Sequence, residues 1–235
     1  MLDVVALQQQ LAEVRARIAR AAGRARRDPS SIRLVAVSKT FSADYVRAAA
    51  DAGQVDFGEN KVQEALAKMD ATAGLPIRWH LVGHLQSNKA KKAAARFDVV
   101  QSADSVDILR RLDEAAADAG RELQVLVQAD LAGEATKHGA DEDELLPIFD
   151  AARGCHAARV AGLMLIPPAV DDPEQARPYF RALNDVRQRL LARGVDRSML
   201  NELSMGMSHD FDVAVEEGAT LVRVGTAIFG SRTYV

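Results

Sequence analysis

Cysteine is almost missing from this chain, with Cys155 the single thiol among 235 residues. That excludes an internal disulfide and points to a reducing compartment, so a cytoplasmic location is expected. A lone thiol is more often a filler than a nucleophile. Neither sign of charge dominates: 30 basic residues face 33 acidic ones, a formal net charge of -3. A dedicated nucleic-acid binder would carry a strong basic bias. No apolar run approaches the roughly 18 residues of a membrane span. No GxGxxG follows an early strand, which argues against an open dinucleotide-binding sheet. No linker or composition break divides the chain.

What the chain does have is alternation. Apolar runs suited to buried strands lie at 32–38, 54–60, 77–83, 97–102, 123–130, 158–167, 200–206 and 221–227. Helical segments separate them: Ala43–Ala52, Val62–Thr72, Lys89–Ala95, Val106–Ala119, Asp141–Ala152, Pro173–Arg193 and Asp210–Glu217. Ser105 and Asp141 stand where helices start, and Gly53, Gly120, Gly194 and Gly218 where they stop. About eight βα units in this length predict an α/β fold, a single (β/α)8 barrel spanning 1–235. The arginine-rich segment 1–27 resembles a transit peptide in composition. Its Leu7, Leu11, Val14 and Ile18 follow helical spacing, however, and a structural helix packed on the barrel is expected.

Barrels work at the C-terminal ends of their strands. Lys39 follows strand one, in LVAVSKT, where burial makes a lysine expensive. Asn60 and Lys61 follow strand two. His80, His84, Gln86 and Asn88 surround the end of strand three, and Met164 lies near the end of strand six. After strand seven comes SMGMSHD, carrying Ser204, Met205, Gly206 and Ser208; strand eight carries Arg223, Gly225 and Thr226. Small residues and hydroxyls in the loops after strands seven and eight are the parts of a phosphate cradle. An ordinary Gly/Ser-rich turn is the competing account of each segment.

Opposite such a cradle, Lys39 has two readings. It snorkels from the rim to solvent, or its partly desolvated amine forms a Schiff base with the aldehyde of pyridoxal 5'-phosphate (PLP). Arg223 also has two: a salt bridge to a carboxylate such as Glu59 or Asp210, or a hydrogen bond to the pyridine nitrogen of PLP. HLVGH offers His80 and His84 to a metal but lacks a third ligand and begins in a strand, so no metal site is expected. NKAKKAAAR reads as a solvated helix face rather than an RNA contact.

LVAVSKT, FGENKVQE, WHLVGHLQSNK, GLMLIP, SMGMSHD and GATLVRVGTAIFG occur in this order across nearly the whole chain. Together they resemble the YggS/PROSC family of PLP homeostasis proteins. The resemblance implies a barrel similar to the N-terminal domain of alanine racemase, with PLP on Lys39. Ser204, Gly225, Thr226 and the backbone around Met205 to Ser208 would hold the phosphate. Arg223 would sit at the ring nitrogen, with Asn60 and His80 lining the pocket. Asp130 departs from the family's usual asparagine, while Lys137 and Gly139 match it.

The implied role is PLP and amino-acid homeostasis without robust turnover, as a carrier or buffer. Expected partners are PLP and apo forms of PLP-dependent enzymes, with no nucleic acid or membrane, and a monomer is the expected state. The alternative is a racemase-like enzyme of low activity. Racemisation needs acid/base groups on both faces of the substrate, and the tyrosine that alanine racemase supplies from a second domain has no counterpart before Val235. Tyr45, Tyr179 and Tyr234 have no evident claim to that role. A barrel for another phosphorylated metabolite would leave Lys39 unmodified.

Overall fold

A computed structural model describes residues 2–132 and 138–230. Eight parallel strands close into a barrel in sequence order, with β1 (Arg33–Val37) pairing both β2 (Asp56–Glu59) and β8 (Leu221–Val224). Between these run β3 (Arg78–Leu81), β4 (Val99–Ala103), β5 (Leu123–Ala129), β6 (Ala158–Leu165) and β7 (Glu202–Ser204). Every run read as a strand forms one, most of them shorter than read, while β4 runs one residue further at the rim, to Ala103.

The helices follow the expected segments: α1 (Val4–Arg24), α2 (Ala43–Asp51), α3 (Val62–Ala71), α4 (Ala90–Ala94), α5 (Val106–Asp118), α6 (Glu142–Ala152), α7 (Arg177–Ala192) and α8 (Phe211–Glu216). A short α9 (Thr226–Phe229), inside a run read as strand and loop, was not anticipated. The segment 173–193 divides into a 3-10 turn, Pro173–Ala176, and α7. Ser105 accepts from Ile108 N, and Asp141 with Glu144 forms a capping box. The glycines at 53, 120, 194 and 218 all take positive φ, as left-handed helix caps require.

Strand residues alternate between two environments. Leu34, Ala36, Phe57, Leu81, Val125 and Val222 join the large apolar layer shared with the helices. Val35, Val99, Leu126, Met164 and Leu221 are buried outside that layer, in the barrel interior. α1 packs Leu7, Leu11, Val14 and Ile18 into the apolar layer. Each such burial contributes about 1.5–3 kcal/mol, against about 0–1 kcal/mol for each exposed ion pair, such as Arg24 with Glu216. Packing, not charge, fixes this helix. Among the described residues, no helix is long and apolar enough to cross a membrane.

Candidate functional site

The rim of β1, β2 and β8 encloses a cavity of about 280 Å³. Lys39, Asn60, Ser208, Arg223, Gly225 and Thr226 line it, so six of the expected site residues share one space. Val37, Val82, Ile166, Met207 and His209 complete the lining. Val37 and Val82 read as core strand in the sequence, and nothing in their neighbours marks them as facing a cavity.

Lys39 stands half-buried two residues beyond β1. The next residue, Thr40, has φ of 72°, a rare conformation for a β-branched residue, and its amide donates to Glu64 Oε1 at 2.6 Å. Beneath them, Glu59 is fully buried at the end of β2. One of its oxygens accepts from Lys68 Nζ and from Ser38 Oγ, each at 2.6 Å. Its other oxygen has no hydrogen-bond partner among the described residues. Burial pushes the Glu59 carboxyl up, with Lys68 and Ser38 offsetting only part of it. Lys68 also donates to Ser38 O at 2.7 Å, which ties α3 to the residue before Lys39.

Opposite, the loops after β7 and β8 converge on one hydroxyl. Ser208 Oγ accepts from Gly225 N at 3.1 Å and from Ala227 N at 3.3 Å. Two backbone donors aimed at one oxygen form a geometry suited to an anion. Gly206 holds the loop close: its φ is 91°, and a Cβ there would lie 2.5 Å from Ala214 Cβ. Asp210 accepts from Met207 N at 2.6 Å, and burial raises its carboxyl despite that bond.

Arg223 is pulled down to about 10 by burial. Neither Glu59 nor Asp210 is its hydrogen-bond partner. Its Nη1 donates to Ser204 Oγ at 2.6 Å and its Nη2 to Leu165 O at 2.8 Å, while Asp210 acts on it only through its charge.

Ser204, His80, Met164, Met205 and Gly206 are not in the cavity lining. Ser204 and His80 lie fully buried in the barrel interior, where a chain of hydrogen bonds crosses from β8 to β2. Arginine can only donate, so Ser204 accepts from Arg223 and gives its proton to Gln101 Oε1 at 2.6 Å. Gln101 Nε2 then donates to His80 Nδ1 at 2.9 Å, and His80 Nε2–H to Asp56 Oδ1 at 2.7 Å. Arg78 donates to the same oxygen at 2.7 Å. Burial holds the His80 imidazolium down against the pull of Asp56, so the ring is neutral. Burial works to raise Asp56, but His80 and Arg78 together keep its carboxylate below the ordinary range. Gln101 and Asp56 were missed in the sequence, where each sits inside an apolar run with no local mark of its partners.

At the strand-five rim Asp130 Oδ1 accepts from Ala132 N at 3.0 Å, a bond that an asparagine oxygen makes equally well. Lys137 and Tyr234 lie outside the described residues. Cys155 is half-buried, and burial raises its thiol, which disfavours the reactive thiolate.

Residues 9–233 match the family described as alanine racemase, N-terminal domain. A protein of Pseudomonas aeruginosa named pyridoxal phosphate homeostasis protein is 42% identical over 227 residues, covering 96% of either chain. One of the same name from Aquifex aeolicus is 38% identical over 226 residues, covering 96% of this chain and 98% of its own. The structure of PipY from Synechococcus elongatus with PLP bound is similar at a TM-score of 0.85 and 37% identity, covering 95% of this chain and 100% of that one. The chain therefore belongs to the alanine racemase N-terminal domain family, alongside the pyridoxal phosphate homeostasis proteins.

Proposed function

We propose that this protein binds PLP through a Schiff base to Lys39 and serves PLP homeostasis as a carrier or buffer without robust turnover. One observation carries the reading: an amine at a strand tip shares a small cavity with Ser208 and Gly225, where two backbone donors converge on one oxygen. The names of the relatives and the PLP bound to PipY support it. When bound, the cofactor supplies an aldehyde that captures amines and a ring that withdraws electrons. Gly225 N–H, Ala227 N–H and the hydroxyls of Ser208 and Thr226 would hold the phosphate. Arg223 would donate to the ring nitrogen, with its guanidinium oriented by Ser204 and Leu165 O. Val37, Val82 and Ile166 would exclude water from the ring's edge. Ser204 would act through Arg223 rather than on the phosphate, because both its hydrogen-bonding directions serve the interior chain.

Recipients of the cofactor would be apo forms of PLP-dependent enzymes, and the protein would act as a cytoplasmic monomer. The test is the visible spectrum of the purified protein with added PLP, before and after borohydride reduction, beside Lys39→Ala. A band lost in the variant, with the reduced adduct mapped to Lys39, is expected. The same band in the variant, or none in the wild type, overturns the assignment. Transfer of PLP to an apo-enzyme without amino-acid racemisation then separates a carrier from a slow racemase.

A further inference from the structure

The loops after β3, β4 and β5 meet on the C-terminal face of the barrel. They bring together three side chains that the cofactor reading leaves unused: His84, Asp104 and His138. We propose that these residues form a binding site for a divalent first-row transition metal, with Zn²⁺ the natural probe. The sequence shows His80 and His84 as a pair without a third ligand, but the fold separates them. His80 turns into the barrel, and His84 meets a carboxylate and an imidazole from two other loops.

The distances favour a shared ion over a simple ion pair. His84 Nδ1 lies 3.4 Å from Asp104 Oδ2, longer than the roughly 2.7–2.9 Å of a charge-assisted hydrogen bond. Two ligands each about 2.1 Å from a tetrahedral zinc are separated by about 3.4 Å. One ligand atom from each of the three residues lies within 4.8 Å of the others, and no other such trio occurs among the described residues. The His84 and His138 rings stack with centroids 3.5 Å apart and planes 13° apart. Closing on the ion takes a rotation of one ring about its Cβ–Cγ bond, which the exposure of both histidines permits.

The backbone is anchored at two of the three positions. Asp104 directly follows β4 and is only 17% exposed. The carbonyl of His138 accepts from the buried Gln128 amide, and the next residue but one, Ala140, bridges to Ala129 at the end of β5. Two imidazoles and one carboxylate suit zinc, nickel or cobalt rather than calcium or magnesium, and they leave coordination positions open. Lys61 and Lys89 line the depression on which His84 also borders. Their charge opposes a cation and favours a moderate affinity over a permanently occupied structural site.

The experiment is calorimetric titration of Zn²⁺ into tag-free, chelator-treated protein, with the visible spectrum of Co²⁺ as a second readout. The wild type should take up one equivalent. His84→Ala, His138→Ala and Asp104→Asn should each weaken it by about tenfold or more and abolish the cobalt spectrum. Circular dichroism should be unchanged, since none of the three supports the apolar core. Absence of stoichiometric uptake by the wild type overturns the site. So does uptake that survives in a His84→Ala, Asp104→Asn double variant, because the metal would then be held elsewhere. Neither outcome bears on Lys39, so the cofactor reading stands or falls separately.

Discussion

Gln101 donates its amide to His80 Nδ1 at 2.9 Å, and that contact fixes which ring nitrogen of a fully buried histidine carries the proton. The direction of every later bond follows. Arg223, at the cavity, and Asp56, on the other side of β1, are the donor and acceptor ends of a single chain.

Severing the chain at its middle should be felt at both ends. Gln101→Leu leaves the Ser204 hydroxyl proton without an acceptor and His80 Nδ1 without a donor, at a cost of about 1–3 kcal/mol for each orphaned group. Urea unfolding should register the loss, and PLP binding should weaken although Gln101 does not line the cavity. Unchanged stability would show that the chain contributes nothing.

Acid should undo the same chain. The His80 value in the fold lies below its ordinary 6.5, so the unfolded chain binds the extra proton. This contribution to stability is present above about pH 6.5 and is lost as pH falls below it. Urea midpoints between pH 7.5 and 5 should therefore drop in the wild type and drop less in His80→Gln. Parallel curves for the two proteins would remove His80 from the account.

Glu59 and Lys68 make the opposite kind of pair, buried and ionic beneath the Lys39 turn. Removing only the cation, in Lys68→Met, strands a buried carboxylate and should cost about 3–5 kcal/mol. Adding Glu59→Gln should recover part of that loss. A double-mutant cycle measures it, and strictly additive losses would contradict direct coupling.

Ser208→Ala removes the hydroxyl on which Gly225 N and Ala227 N converge. Affinity for PLP should fall by roughly 5–10-fold, the scale of one hydrogen bond, while affinity for pyridoxal, which has no phosphate, should barely change. Equal losses for both ligands would place the phosphate elsewhere.

Gly206→Ala should destabilise the protein by about 1–3 kcal/mol, because φ of 91° is strained for any side chain and the methyl meets Ala214. Thermal unfolding checks it.

The barrel was legible because parallel strands buried on both faces leave continuous apolar runs, and because helix caps carry their own residue types. The place of Lys39 at the cavity was legible for a related reason: a charge that ends such a run stands at the strand tip, on the rim. His80 and Ser204 were placed one layer too high. Strand ends in sequence do not reveal how far a side chain sits below the rim, and polar residues near an active face attract a functional reading. The meeting of His84 with His138 had no local signal at all. It depends on closure of the barrel, which brings together loops more than fifty residues apart in the sequence.

The interior chain also bears on how this barrel can change. Ser204, Gln101, His80 and Asp56 come from four different strands, and each link is oriented by its neighbour. A substitution at one position strands a donor on one side and an acceptor on the other. Neutral drift inside this barrel is thus blocked one residue at a time and open only to concerted replacements. Its centre is inherited as a unit.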